Sequence, residues 1–196
     1  MPLWGVSDAA ETKPTYLTDA QKKQVYATAQ GWVAEPGLSG NSNTSAKPEI
    51  LVAVKNLAGT DAAPTSGLGL ADITDIEFVT TTVSEASPGN FSVLVRFNEE
   101  VDVTGTPTCT VTNNRAGSGS LAALACEYAS GTGSNELTFT KAFTSGQFAE
   151  NDVLSIGANA VALSGGTIKD KGTNDASTIT SAASIGTAAG TITVGA

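Results

Sequence analysis

Apolar and polar residues alternate along the C-terminal two-thirds of the chain. Residues 91–97 read FSVLVRF, so every second residue is apolar, and only Leu94 interrupts the polar set between them. A period of two is typical of a strand with one buried face. Segments of this kind, separated by Gly- and Ser-rich turns, predict strands at 73–82, 90–97, 108–112, 122–129, 136–140, 153–156, 160–163, 178–182 and 190–194. Many short strands at this spacing predict an antiparallel β-sandwich.

The N-terminal residues follow a different pattern, which predicts a short helix and a hairpin. Thr18 and Gln21 have the spacing of a capping box, in which a hydroxyl and a Gln side chain cap the first turn. A helix is therefore expected at 19–25, followed by strands at 32–34 and 50–54. This helix-plus-hairpin unit is too small to bury a large core without the rest of the chain or a neighbouring subunit.

The composition changes between these two parts. Residues 59–72 are rich in Gly, Ala, Pro and Thr, which is typical of a linker. The chain is therefore expected to contain an N-terminal arm and attachment unit at 1–58, a linker at 59–72, and a β-sandwich domain at 73–196. The predicted fold class is mainly β.

The chain is acidic and contains no histidine. Its 196 residues include 10 Lys plus Arg and 19 Asp plus Glu, which gives a net charge of −9. Nucleic-acid binding needs Lys and Arg for the phosphates, so nucleic acid is not an expected partner. The lack of His excludes Ser-His-Asp and Cys-His catalysis and His-based metal sites. Because acid–base groups would have to be carboxylates alone, we expect no enzyme activity and no cofactor.

Neither a membrane span nor a signal peptide is expected from the sequence. The apolar stretches at 50–54 and 158–163 are far shorter than the roughly 20 residues of a spanning helix. The N-terminus has no basic segment followed by an apolar one. We expect the protein to be made and assembled in a cytoplasm, without a membrane as partner.

Three segments of the C-terminal part carry a resemblance to a known family. They are VDVTGTPT at 101–108, YASGTGSNELTFT at 128–140 and IGANAVALSGGTIKDKGTNDA at 156–176. Together they resemble a bacterial immunoglobulin-like repeat, which occurs in large surface adhesins and in virion proteins. The resemblance implies an Ig-like β-sandwich over about residues 75–182, with a stalk, spacer or adhesive role. The family often has a Gly directly before its Asn, where this chain has Thr173 before Asn174.

The beginning of the chain carries a second resemblance. MPLWG, KPTYLTDAQKKQVYATAQGWV and EILVAVKNL are similar to the start of small structural proteins of tailed bacteriophages, notably phages of marine cyanobacteria. This resemblance implies a virion component. Within that class we expect a capsid decoration or cement protein on the particle exterior. Its expected partners are the major capsid protein or other virion subunits, with homo-oligomer or lattice contacts.

Two other functions remain open at this point. One is a neck, tail or fibre component of the same kind of particle. The other is an adhesion module that binds host-surface polysaccharide. Copy number per particle separates a decoration protein from a neck or tail component, and binding to purified polysaccharide favours adhesion.

Leu3 and Trp4 are large apolar residues in an otherwise polar arm. They could pack onto the body of their own chain. Trp is also a favoured interface anchor, so the arm could instead dock on a neighbouring subunit. We expect the second arrangement, because an arm that reaches across an interface is a simple way to lock a lattice.

Cys109 and Cys126 flank a predicted hairpin loop. If the hairpin is centred between Gly117 and Ser118, the two cysteines lie directly opposite each other on the inward face. A disulfide could then form after release into an oxidising exterior. Two buried thiols that act as small hydrophobic residues are the favoured alternative, because a protein assembled in a cytoplasm folds reduced.

Two groups of oxygen-bearing side chains invite comparison with calcium sites. One is Asp170, Asn174 and Asp175, and the other is an expected acidic turn of Glu99, Glu100 and Asp102. Calcium takes about six to eight oxygen ligands, and neither group matches an EF-hand loop. We expect the acidic and Asn side chains of both groups to serve turn chemistry, in which Asp and Asn cap backbone amides, and we expect no metal site.

Overall fold

The chain is mainly β, as the alternating sequence pattern predicts. The computed structural model contains eleven strands and two short helices within the residues that it describes. The longest strand has 16 residues, whereas the longer helix has 6. The described residues are 12–36, 43, 45–59, 67–114 and 120–196.

Helix α1 (Asp19–Lys23) begins with the predicted capping box. The Thr18 hydroxyl accepts a hydrogen bond from the Gln21 backbone N–H at 3.2 Å. The Thr18 backbone N–H in turn donates to the Gln21 side chain at 3.0 Å. The helix ends before the predicted residue 25 because Val25 enters a strand and is fully buried there.

Three short antiparallel strands follow the helix: β1 (Val25–Thr28), β2 (Gly31–Ala34) and β3 (Glu49–Ala53). The sequence pattern does not predict β1. The structure therefore has a three-stranded meander where a two-stranded hairpin was expected. Gly31 begins β2 with a positive φ of 128°. A Cβ at this position would lie 2.1 Å from the carbonyl oxygen of Val52, so only glycine lets β3 approach this closely.

Strand β3 lies at one end of the sheet and has an irregular register. Its pairing with β2 shifts between Trp32 and Val33, which leaves Leu51 without a counterpart. Such a β-bulge bends the strand and increases its twist. Lys47 and Pro48 stand directly before the strand, and Pro48 has no backbone N–H to donate.

The β-body, defined here as residues 71–196, contains the other strands and the second helix. In chain order these elements are β4 (Ile73–Phe78), β5 (Gly89–Thr104), β6 (Thr108–Asn113), β7 (Ala123–Ser130), β8 (Ser134–Phe143), β9 (Val153–Ala162), β10 (Thr167–Asp170), α2 (Ala183–Ala188) and β11 (Thr191–Thr193).

All the described strands are connected by pairing into one mixed sheet. Its order is β11-β9-β6-β7-β8-β5-β1-β2-β3, and β4 and β10 also pair with β5. The long strand β5 is therefore the centre of the molecule. Its pairing with β1 is parallel, at Ala27 and Glu99, and every other strand pairing is antiparallel. The linkage through β1 makes the N-terminal strands continuous with the body.

The strand prediction differs from the structure at the C-terminal end. The two strands expected at 153–156 and 160–163 are one strand, β9, with Asn159 at a positive φ of 52°. The segment expected as a strand at 178–182 contributes only one isolated bridge, between Asp72 and Thr178. Strand β10 and helix α2 have no counterpart in the prediction.

Two hydrophobic clusters fill the described part of the molecule. The N-terminal unit, defined here as residues 12–58, has a small cluster made of Leu17, Val25, Ala27, Trp32, Ala34, Leu57 and Ala58. The buried side chains of the β-body form one larger core. Its largest fully buried members include Phe91, Phe97, Phe139, Phe148 and Leu137.

Candidate functional site

The predicted partner anchor cannot be placed in the fold. Leu3 and Trp4 lie outside the described residues. The exposed aromatic side chain of Tyr16, which is 69% exposed, lies close to the start of the described part. The anchor therefore stays a prediction.

Cys109 and Cys126 lie directly opposite each other on β6 and β7, as the hairpin argument predicts. Both are fully buried, and both are free thiols. Burial raises the pKa of each thiol to about 12. Because the thiolate is the reactive form, the pair is chemically inert in the folded protein.

The register of this pair works against a disulfide. The Asn113 N–H donates to the Ala122 carbonyl at 2.9 Å, so these opposed residues form a hydrogen-bonded pair. Hydrogen-bonded pairs recur every second residue, which places Cys109 and Cys126 at the same type of position. Cβ atoms there lie near the upper end of about 4.5–5.5 Å, beyond the roughly 3.8 Å of a relaxed disulfide.

Asp170 closes a turn, as the capping interpretation predicts. Its Oδ1 accepts hydrogen bonds from the backbone N–H groups of Gly172 at 2.6 Å and Thr173 at 3.0 Å. Its Oδ2 accepts one from Ala71 at 3.0 Å. Asn174 adopts a positive φ of 64°, which is common for Asn in turns. Asp170 therefore joins the turn after β10 to the segment that enters β4.

The second acidic group is not a turn. Glu99, Glu100 and Asp102 all lie within strand β5, which continues for seven residues beyond the predicted end at 97. The strand continues because its last part pairs with β10. Alternation along the strand buries Glu99 and leaves Asp102 exposed.

The contacts between the N-terminal unit and the β-body form a junction that the sequence did not reveal. On one side it is held by charges around Arg96, a residue of β5 that is only 8% exposed. Its guanidinium pairs with Asp75 at 3.0 Å, Glu77 at 2.8 Å and Glu136 at 2.6 Å. Lys23 at the end of α1 pairs with the same Asp75 at 2.9 Å and so connects the helix to this network.

The buried charge of Arg96 is stabilised by its carboxylate partners. Burial acts to lower the pKa of the guanidinium, but hydrogen bonds to Glu77 and Glu136 outweigh it, so the pKa is raised. Arg96 therefore stays charged and holds β4 and β8 on either side of β5.

Two further side chains extend the charged side of the junction. The Asn135 side chain on β8 donates to Glu35 Oε1 at 2.9 Å. Burial raises the pKa of Glu35, although the bond from Asn135 acts in the opposite direction. Lys13 donates to the Lys22 carbonyl at 2.6 Å, and burial lowers the pKa of its amine to about 8 against the attraction of Asp75 and Glu35.

The other side of the junction contains a cavity of about 200 Å³. We call it the Glu99 pocket. The N-terminal unit contributes uncharged residues to it, and the β-body contributes two carboxylates, a lysine and a glycine. Its lining residues are Ala27, Thr28, Ala29, Ala58, Glu99, Glu100, Lys171 and Gly172.

Glycine at position 172 permits the two parts to meet at this pocket. A Cβ on Gly172 would lie 2.8 Å from the Gly59 carbonyl oxygen and 3.4 Å from that of Ala58. Any side chain there would push the end of the N-terminal unit away from the turn after β10.

Sequence reasoning missed both Arg96 and the buried Glu99. The signal for Arg96 is the FSVLVRF pattern, in which a lone Arg occupies the polar face. Its partner in the neighbouring strand is Asp75, and Glu77 lies two residues further along. No comparable signal exists for Glu99, because its burial depends on the parallel contact with β1.

The residues described do not suggest a metal centre. Within them, no group of three or more Cys, Asp or Glu side chains is arranged to hold a metal ion. None of the helices seen in the described ranges is long and apolar enough to cross a membrane. Comparison with known proteins found no matching family model, no similar curated protein and no similar solved structure.

Proposed function

We propose that this chain is a non-enzymatic structural protein of a tailed-phage particle, and that it decorates the capsid exterior after assembly in the host cytoplasm. The observation that carries this proposal is the sheet order. The N-terminal strands β1, β2 and β3 form one end of the sheet, and β11 forms the other. A unit that attaches through its N-terminal end would thus project the rest of its body from the shell.

The continuity of the sheet supports a mechanical role. The N-terminal unit pairs with β5 through β1 and is held by Lys23 and Glu35 to the body. A load applied to the N-terminal unit would therefore pass directly into the central strand. The phage-like N-terminal segments described above supply the reason to place this device on a virion.

Three cavities among the described residues are small, which suits a role based on surfaces. They measure about 180, 200 and 250 Å³. Small-molecule sites commonly occupy about 300–1,000 Å³. A net charge of −9 suits a protein that stays soluble at high local density on a particle. The partner is the major capsid protein or another virion subunit.

The test compares occupancy on purified particles. Wild-type protein on a stained gel should give a band comparable in copy number with the major capsid protein. Trp4→Ala should lower that band while the melting temperature of the free protein stays nearly unchanged. Tyr16→Ala, which removes an exposed aromatic side chain from the same part of the chain, is the matched control and should leave occupancy intact.

Two results would count against this proposal. A copy number of tens or fewer per particle would indicate a neck, tail or fibre component instead. A fall of several degrees in the melting temperature of free Trp4→Ala would show that Trp4 belongs to the core of its own chain, and the arm would then not be the anchor.

Adhesion to polysaccharide is the second candidate, and one cavity favours it. This cavity, of about 250 Å³, is rich in hydroxyl groups and lies beside the first residues of β5. Its lining residues include Thr80, Thr82, Ser84, Ser87, Asn90 and Phe143. Retention of the purified protein on host polysaccharide, lost in Asn90→Ala, would favour this function over decoration.

A further inference from the structure

Glu99 is the most unusual polar side chain in the described part of the molecule. It is 1% exposed, and neither carboxylate oxygen accepts a hydrogen bond from an N–H or O–H donor among the described residues. A buried carboxylate in this state is strongly destabilised by the loss of its hydration. Either a bound proton or a bound cation must therefore neutralise Glu99.

The charged groups that face Glu99 are mostly acidic. Asp170 of β10 and Asp72, just before β4, both repel a negative charge on Glu99. Glu100 and Lys171 share its pocket, but the Lys171 amine is bound to Glu100 at 2.8 Å and to the Gly133 carbonyl at 3.1 Å.

The N-terminal unit does not neutralise Glu99 either. The residues that it contributes to the pocket are Ala27, Thr28, Ala29 and Ala58, and these have no ionisable side chain. Glu99 therefore has no positively charged partner on any of the described elements that line its pocket.

Asp170 already accepts several hydrogen bonds, whereas Glu99 accepts none. Three backbone N–H groups donate to the carboxylate of Asp170, so its oxygens act as hydrogen-bond acceptors. Glu99 receives no such donors. Asp170 pairs with Val101, which lies two residues from Glu99 on the same buried face of β5. A proton shared by the two acids consequently belongs to Glu99.

We infer that Glu99 is held as a neutral carboxylic acid that donates its proton to Asp170, and that loss of this proton loosens the junction between the N-terminal unit and the β-body. The proton would bridge the central strand and the turn after β10, below the Glu99 pocket. Ionisation would place two carboxylates in contact beneath the uncharged wall formed by the N-terminal unit. This inference does not depend on the proposed function.

The direction of the pH dependence follows from the raised pKa. Burial, then repulsion by Asp170 and Asp72, raises the pKa of Glu99 from 4.5 to about 8. Between these values the folded chain keeps a proton that the unfolded chain has released. Stability should therefore fall as the pH rises from about 4.5 to about 8 and then level off, as far as Glu99 determines it.

A cation is the less favoured explanation. Calcium needs about six to eight oxygens, and the described residues offer no third acidic ligand arranged with Glu99 and Asp170. Three N–H donors also leave the carboxylate of Asp170 with about one free lone-pair site, which is enough for a single proton bond but few ligands for a cation.

The decisive measurement is a carbon-13 NMR titration of the full chain with labelled Glu side-chain carboxyls. The Glu99 signal, assigned by its absence from Glu99→Gln, should titrate with a midpoint near pH 8. The backbone amides of Ala27 and Gly172, on the two sides of the junction, should shift with the same midpoint. A Glu99 midpoint in the ordinary range for carboxyl groups, near pH 4–5, would overturn the inference.

Thermal unfolding provides the second measurement. Glu99→Gln keeps a neutral hydrogen-bond donor of the same shape, so its melting temperature should rise above that of wild type progressively from pH 5 to pH 8. Glu100→Gln, the neighbouring control, should follow the wild-type pH curve. A constant offset between Glu99→Gln and wild type across this range would contradict the proton bond.

Calcium chloride at millimolar concentration separates the cation explanation from the proton. An unchanged melting temperature at pH 8 agrees with the inference. A calcium-dependent rise in the melting temperature of the wild type that is absent from Glu99→Gln would overturn the inference. It would show that a bound cation neutralises Glu99.

Discussion

The hydrophobic cluster of the N-terminal unit is built from small side chains around Trp32 and two leucines, whereas that of the β-body is built around phenylalanines on long strands. The difference in size has a physical consequence. A small cluster cannot offset the conformational entropy of its own residues, so the unit depends on what surrounds it. We expect the body to fold on its own large core, and we expect the unit to be folded only while the junction holds it to the body.

The junction combines two kinds of contact with different sensitivities. On the side of Arg96 it is made of opposite charges, and on the side of Glu99 it depends on a proton. The first is weakened by salt where the groups are exposed, and the second is weakened by alkali. Changes on the two sides can therefore be told apart by the solution conditions in which they act.

The largest effect is expected from Phe139→Ala, in the core of the β-body. Phe139 is fully buried, and truncation of a buried Phe costs about 3–5 kcal/mol. Because the unit depends on the body, the transition seen by far-ultraviolet circular dichroism and that seen by Trp32 fluorescence should move down together. A Trp4→Phe background isolates the Trp32 signal. A shift in circular dichroism alone would show that the unit is independent of the body.

Arg96→Met should have the next largest effect and should act across the junction. Removing one partner of a buried ion pair costs about 3–5 kcal/mol. Glu77 and Glu136 would lose the cation between them, and Asp75 would keep only Lys23. Urea unfolding measures this loss. A companion variant, Arg96→Met with Glu77→Gln, should recover part of the stability by removing one of the facing charges. No recovery would mean that the packing of the arginine stem matters more than its charge.

Leu57→Ala should separate the two regions. Leu57 is buried in the small cluster, and its truncation costs about 2–5 kcal/mol within that unit. We expect the Trp32 fluorescence transition to fall well below the circular dichroism transition, because the body retains its own core. Coincident transitions in this variant would show that both regions unfold as one cooperative unit.

The smallest effect is expected from Lys23→Ala. Its amine pairs with Asp75, but the Lys23 side chain is 39% exposed, so the pair contributes less than about 1 kcal/mol. Lys22→Ala, whose partner Asp19 is fully exposed, is the matched control and should change stability still less. The difference between the two variants should disappear in 1 M salt. A loss comparable with that of Arg96→Met would mean that helix α1 is the principal attachment of the unit.

Local patterns predicted those parts of the fold that local chemistry determines. The FSVLVRF alternation located the first half of β5. A hairpin centred between Gly117 and Ser118 correctly placed Cys109 opposite Cys126. The capping box located the start of α1. The turn chemistry of Asp170 was predicted correctly because an Asp that caps a turn acts on amides two and three residues away.

The parts that were missed depend on contacts between distant residues. Helix α2 has no side-chain cap. It packs closely against β9 because Gly186 has no side chain: a Cβ there would lie only 2.2 Å from the Ile156 carbonyl oxygen. The second half of β5 exists because β10 pairs with it. The buried state of Glu99 likewise depends on β1 lying beside β5, a contact between residues 27 and 99 that no short window of sequence contains.

The irregular edge strand β3 has a consequence for crowding. An open sheet end presents unpaired backbone groups to which a second molecule can add a strand, and repeated addition leads to fibres. In β3 the bulge at Leu51 bends the edge strand, and Pro48 has no backbone N–H to donate. The positive charge of Lys47 would repel the same residue on the β3 edge of a second copy. The opposite end, β11, is only 3 residues long. Many copies held side by side would therefore meet through side chains and remain separate molecules rather than polymerise.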